Sequence, residues 1–297
     1  TTKAEMEDSD VQAQHTAVQA KTKNVDVNVA GQVSAGQNGA GLAVAFNHMN
    51  NATQAQILGT SIKGAAHEVA VAAENSGTTV SAAAGVSGGS TSALTGALAI
   101  NQGKDTTQAG IGASESKRSS LENVNRIAVD AKDSTTKVAV AGGLSAAGTA
   151  AIGGAIAYNQ VGGVGYQSTE AFLNNTDILT KGDKSALRVR ALDEATLGTA
   201  AAGIGGAGSV AVQGAAATSN IEKNVRTQMK DTTVKSAAGA PKAAPSLKAE
   251  STGSMYTNTL VLAGSGTAAV GAGVSVTTAL GSTRAELSGG RQEVGGA

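Results

Sequence analysis

The chain has no cysteine and no tryptophan, and holds two prolines, two phenylalanines and three tyrosines in 297 residues. Without cysteine, a disulfide framework, a thiolate metal site and a cysteine nucleophile are excluded together. The lack of thiols also fits an exported protein. Aromatic residues at 2% remove the side chains that supply much of the buried area of an ordinary domain. No charge of one sign is in excess, since 22 Lys and Arg balance 22 Asp and Glu. With no basic stripe to meet phosphates, nucleic acid is not expected as a partner.

What the chain has in abundance is small residues. Glycine (40) and alanine (59) make up one residue in three, so burial must come from many small, repeated contacts. Apolar content of 41%, spread over the whole length, is that of a folded chain rather than of a disordered one.

Self-similarity organises the sequence. The segment Gly41 to His48 returns as Gly96 to Gln102, Gly154 to Gln160, Gln213 to Ile221 and, most weakly, Ala272 to Leu280. Anchored on Asn47, Asn101, Asn159, Ser219 and Thr278, the spacings are 54, 58, 60 and 59. Shorter signatures follow in step, among them Thr53 to Leu58, Thr107 to Gly112, Val225 to Lys230 and Thr283 to Ser288. Within a unit the apolar period is two, as in Val25/Val27/Val29, Val69/Val71 and Val138/Val140, which predicts strands. Helix competes, because alanine favours it, but each helix-interior glycine costs about 1 kcal/mol and the runs are glycine-rich.

Short strands repeating along one chain predict a parallel β-helix, each coil stacked on the last. At roughly 20 residues per coil, each unit would hold about three coils and the chain about fourteen, forming a rod. Small inward ladders explain the scarcity of aromatics. Asn47, Asn101 and Asn159 are expected at corners, where amides satisfy turn backbone. The pattern breaks at 161–184 and 228–248, which are expected as loop excursions. Partner contacts are placed on the first, at Tyr166, Phe172, Asn174 and Asn175, because loops carry function on rigid scaffolds.

Catalytic chemistry finds little footing. His15, His48 and His67 lie in no metal-ligand spacing and are expected at the surface or in turns. Gly203 to Ser209 is glycine-rich but lacks the features of a phosphate loop. Carboxylates do not pair at matching points of the repeat, apart from neighbours such as Asp193 and Glu194, whereas glycosidases hold two carboxylates roughly 5 to 10 Å apart. No catalytic residue, metal or cofactor is therefore expected. The uncharged runs 138–157 and 195–217 are long enough to span a bilayer as helices, but a mean hydropathy of −0.03 disfavours insertion.

The segments Lys23 to Gln32, Gly96 to Gln102, Val138 to Thr149 and Gly154 to Gln160 together resemble the repeat regions of very large Gram-negative surface proteins. Those proteins are exported as autotransporter or filamentous-haemagglutinin-like passengers, leukotoxin-like ones among them. The resemblance implies a right-handed parallel β-helix with irregular loop insertions. It implies a non-enzymatic shaft or adhesive segment, on the bacterial cell surface or secreted, that meets a host or bacterial surface receptor. Residues 1–297 then read as one solenoid segment of a longer passenger, itself outside the membrane. A cytotoxin shaft, a glycine-zipper membrane-active protein and a β-helical polysaccharide lyase or hydrolase are the alternatives.

Overall fold

The computed structural model describes residues 1–181, 186–236 and 245–294, with backbone alone at 65–66, 164–167 and 292–294. All fifteen described elements are strands: β1 Thr2–Glu7, β2 Asp10–Gln12, β3 His15–Met49, β4 Ala52–Leu58, β5 Ser61–Gly103, β6 Thr106–Gly112, β7 Ser119–Ala147, β8 Ala150–Asn174, β9 Thr176–Thr180, β10 Ala186–Ala207, β11 Val210–Lys230, β12 Thr233–Ser236, β13 Pro245–Ser265, β14 Ala268–Ser288 and β15 Arg291–Val294. Every pairing is parallel and joins a residue to its counterpart one repeat later. Asn47 lies opposite Asn101, Asn101 opposite Asn159, and Asn159 opposite Ser219. The chain is a parallel β-helix.

One repeat makes one coil, not three. The expected fourteen short coils are replaced by five broad ones, because corners fall much farther apart than a 20-residue coil requires. In each coil a long leg runs out, turns at a tip of small residues and runs back. The third coil shows the plan: β7 leads out to Ala147, Gly148 and Thr149 make the tip, and β8 returns from Ala150. In the second coil, where both legs belong to β5, they meet through side chains, Ser87 Oγ donating to the Leu94 carbonyl at 2.7 Å and Ser81 Oγ to the Ile100 carbonyl at 3.0 Å.

Near their roots the legs diverge, and a short third side closes a triangle. This shaft is filled by bulky aliphatics, with Ile57, Ile111, Leu121, Ile127, Leu173 and Ile178 all buried. Each such side chain is worth about 1.5–3 kcal/mol of burial. Toward the tips the coil narrows to a two-layered blade whose core is almost entirely alanine, from Ala43, Ala97, Ala155 and Ala215 on one leg to Ala83, Ala141 and Ala201 on the other. The closest approach is between backbones. A Cβ added at Gly143 would sit 2.8 Å from the Gly154 carbonyl oxygen, and one at Gly203 would sit 2.6 Å from that of Gly214.

One shaft corner repeats the same device from coil to coil. Asp8, Gly59, Asn175, Asp231 and Gly289 take φ of 47°, 53°, 49°, 49° and 61°, a left-handed conformation that Gly, Asn and Asp tolerate best. The next residue of the first four is Ser9, Thr60, Thr176 or Thr232, whose hydroxyl donates to the carbonyl two residues back at 2.8–3.1 Å. In the third coil this corner is instead a longer loop, 113–118, between β6 and β7.

The expected excursions are smaller than the sequence implied. Much of 161–184 is ladder, since β8 continues to Asn174 and β9 covers Thr176–Thr180. The extra length is confined to Gly162–Thr169, which faces only Glu222–Val225 in the next coil. Within 228–248, β11 reaches Lys230, β12 spans Thr233–Ser236 and β13 starts at Pro245, a strand-start position open to proline. Residues 182–185 and 237–244 lie outside the described ones. The glycine-zipper alternative needs helices, and the described residues form none.

The blade makes a direct prediction. Gly143→Val forces the legs apart and is expected to lower unfolding stability by about 1–3 kcal/mol in denaturant titration. Gly142→Val points outward with nothing within 4 Å and should leave stability undiminished.

Candidate functional site

The three asparagines expected at corners are inside the coil. Asn47, Asn101 and Asn159 are buried in strands, where the shaft narrows into the blade. Asn47 Nδ2 donates to Asn101 Oδ1 at 3.2 Å, and Asn101 Nδ2 to Asn159 Oδ1 at 2.9 Å. Each amide also donates to a carbonyl on the outgoing leg of the next coil, of Val80, Val138 or Gly198, at 2.7–2.8 Å. They do satisfy backbone, as amides at turns do, but the backbone is that of the facing leg. Ser219 continues the ladder, sharing a 2.6 Å hydrogen bond with Thr199, and its partner in the fifth coil is Thr277 rather than Thr278.

The residues placed on the first excursion are dispersed. The side chain of Tyr166 lies outside the described residues. Phe172 sits within β8 rather than on a loop, largely buried, its ring covering the space that Gly110 leaves empty. Asn174 ends β8, its Oδ1 accepting from the Lys230 amide at 3.1 Å, and Asn175 is the corner residue itself.

This corner is where chain protrudes from the ladder. Loop 113–118 exposes Glu115, Ser116, Lys117 and Arg118. It is tied along the shaft axis in both directions. Ser114 and Ser116 donate to Asp8 Oδ1 at 2.5 and 2.9 Å. Arg118 donates to both carboxylate oxygens of Asp177 at 3.2 and 3.3 Å, to Asn175 Oδ1 at 3.4 Å and to the Asp231 carbonyl at 2.7 Å. Thus Asn175 and the loop form one polar, solvent-facing edge. The sequence signal was available: eight positions separate Gly112 from Ser120, where their partners Leu58 and Ser61 are three apart.

A second cluster is sealed inside. Asn75, Asp133 and Asp193 are successive rungs of one inward column, so the reading that acids do not pair at matching points of the repeat is corrected: Asp133 and Asp193 are direct partners. Asn75 Nδ2 donates to Asp133 Oδ1 at 2.6 Å, and Thr169 Oγ1 to Asp193 Oδ2 at 2.8 Å. Between the two carboxylates lies the ammonium of Lys223, 2.7 Å from Asp133 Oδ2 and bonded to Asp193 Oδ1. Burial pushes Lys223 down, but the two carboxylates outweigh it and hold it above its free value. Burial raises Asp193, with Lys223 opposing.

Lys137 is buried nearby, and its Nζ has no hydrogen-bond partner. Burial pushes its ammonium down to about 8, against the attraction of Asp105. Two carboxylates beside an amine are the raw material of acid–base catalysis, but these groups are almost wholly buried, Lys223 keeping 3% of its surface exposed and the two carboxylates 1% or less. They neutralise one another inside the seam between shaft and blade.

Among the described residues, no group of His, Cys, Asp and Glu has the arrangement of a metal site. His67 is fully buried rather than at the surface, and burial lowers it below the usual imidazole value. No described helix is long and apolar enough to cross a membrane. No family model, no curated protein and no solved structure matches the chain.

Two tests address the seam. Between about 8 and 10.5 Lys137 is neutral when folded and protonated when unfolded, so the unfolded state binds more protons and stability rises with pH across that window. Denaturant titrations from pH 7 to 10 should show this rise, and Lys137→Met should abolish it while stabilising the protein at pH 7. Lys223→Met strands two buried carboxylates and is expected to cost about 3–5 kcal/mol.

Proposed function

We propose that this chain is a non-enzymatic shaft segment of an exported bacterial surface protein, and that it meets a host or bacterial cell-surface receptor through the edge formed by loop 113–118 and Asn175. The observation that carries this reading is the placement of its polar groups. The ionisable groups that converge are buried in the seam, whereas loop 113–118, which leaves the ladder, is exposed and pinned to three coils by Asp8, Asp177 and the Asp231 carbonyl. A rigid ladder with a fixed polar protrusion is suited to presenting contacts.

The resemblance of the repeat segments to autotransporter and filamentous-haemagglutinin-like passengers supports export and a surface location. Freedom from cysteine agrees with passage through an oxidising compartment. Inter-coil pairs on the shaft surface, such as Lys63 with Glu122 and Arg188 with Asp130, add little stability individually, and leave the backbone ladder as the source of stiffness.

Labelled protein incubated with epithelial and bacterial cells is expected to bind saturably, without lysing them and without releasing sugar from a panel of uronates and glycans. Replacing Glu115, Lys117 and Arg118 by serine should weaken binding at least tenfold while leaving the melting temperature within a few degrees. Lysis would favour the cytotoxin alternative, glycan cleavage the lyase, and unaltered binding by the variant would remove the edge from the proposal.

A further inference from the structure

Apart from its polar edge and sealed seam, the molecule has a third unusual feature in the outside of the blade. Residues 80–102, 138–160 and 198–220 contain no Asp, Glu, Lys or Arg. On the return legs the outward positions form columns along the shaft axis. Leu94, Ile152 and Val212 make one ridge, and Leu98, Ile156 and Ala216 make another. Leu94, Ile152 and Ile156 are 53, 49 and 52% exposed, although their coils have neighbours above and below. Between the ridges runs a groove floored by Gly96, Gly154 and Gly214. A Cβ added at Gly154 or Gly214 would meet only one backbone oxygen, at 3.9 or 4.0 Å, so the groove is open along the third and fourth coils, whereas at Gly96 the Leu42 side chain of the first coil, 2.8 Å from an added Cβ, closes its end.

We propose that this flank is an interface between two copies of the chain, the Leu94, Ile152 and Val212 ridge of each seated in the glycine groove of the other. Ridge and groove are two residues apart, about 6.6 Å at strand rise, so a copy displaced by that distance places apolar ridge in groove. Both run along the shaft axis, and a two-fold operation keeps them parallel, as a self-complementary contact requires. Eleven residues of leg by five coils cover about 850 Å², the area each partner contributes to a standard stable interface.

The chemistry favours a second copy over other occupants. The flank has no charge to match a polar receptor, and around the groove it lacks the Trp and Arg anchors common at heterologous hot spots. The inference goes beyond the receptor-binding edge, which lies on the shaft, and stands or falls separately from it.

Sedimentation velocity over a concentration series tests it. The full chain is expected to sediment as a dimer that dissociates on dilution. Ile152→Lys combined with Ile156→Lys should sediment as a monomer at every concentration, with unchanged circular dichroism and melting temperature, since both positions face outward. Val140→Lys with Leu144→Lys, on the opposite flank, should leave the dimer intact. Neutral phosphatidylcholine vesicles should not carry the protein on flotation. A parent chain that stays monomeric at high concentration, a double ridge variant that still dimerises, or a monomer that floats with the vesicles would overturn the proposal.

Discussion

The width of the blade interior governs the rest of the molecule. Two strand layers face each other with alanine, serine and glycine between them, and at Gly143 and Gly203 the opposing carbonyl leaves no room for a Cβ. Layers this close satisfy van der Waals contact with methyl groups alone, so alanine ladders do here what leucine and phenylalanine do in a wider core. Bulk then has two remaining places. It gathers in the triangular shaft, where the legs diverge around Ile57, Ile111 and Leu173, or it stands outside on the flanks. The inverted distribution, small inside and large outside, follows from the narrowness.

Where the wide shaft narrows to the blade, the carbonyls of Val80, Val138 and Gly198 accept from side chains inside the coil. Buried carbonyls need donors, which the asparagine amides supply while also pairing with one another. One layer closer to the shaft, Asp133, Asp193 and Lys223 are enclosed with the neighbouring Lys137. A buried ion pair of this kind gives little net stability compared with apolar filling. Its strict geometry instead ties the outgoing legs of the third and fourth coils to the return leg of the fourth. A register slip of one residue would turn every such group to the opposite face.

Much of this architecture was legible in the sequence. Period-two alternation and repeat spacing identified strands stacked in parallel, and the recurring asparagines gave the true register for the first four coils. Alternation shows that a segment is a strand but not where it bends, so the number of coils was overestimated threefold. The corners carried their own signature in Asp8-Ser9, Gly59-Thr60, Asn175-Thr176 and Asp231-Thr232, pairs that take φ above zero and then cap a carbonyl. Asn47, Asn101 and Asn159 were assigned by the usual turn preference of asparagine, which their burial overrides. The Asp133–Asp193 pairing was also present as a spacing: Asn75, Asp133 and Asp193 each stand 26 residues before Asn101, Asn159 and Ser219. Lys223 was not foreseeable in the same way, because it enters the seam beside the Gly162–Thr169 bulge, which interrupts the ladder.

The breadth of each coil has an effect on reach. Five turns rise only about 24 Å at a strand spacing of about 4.8 Å, while a 22-residue leg extends about 70 Å sideways. A thousand residues wound to this plan would stand about 80 Å tall, a modest height for so much polypeptide. Growth by added turns therefore lengthens a fin more economically than it projects a tip: every new turn extends both flat sides and the polar rim together.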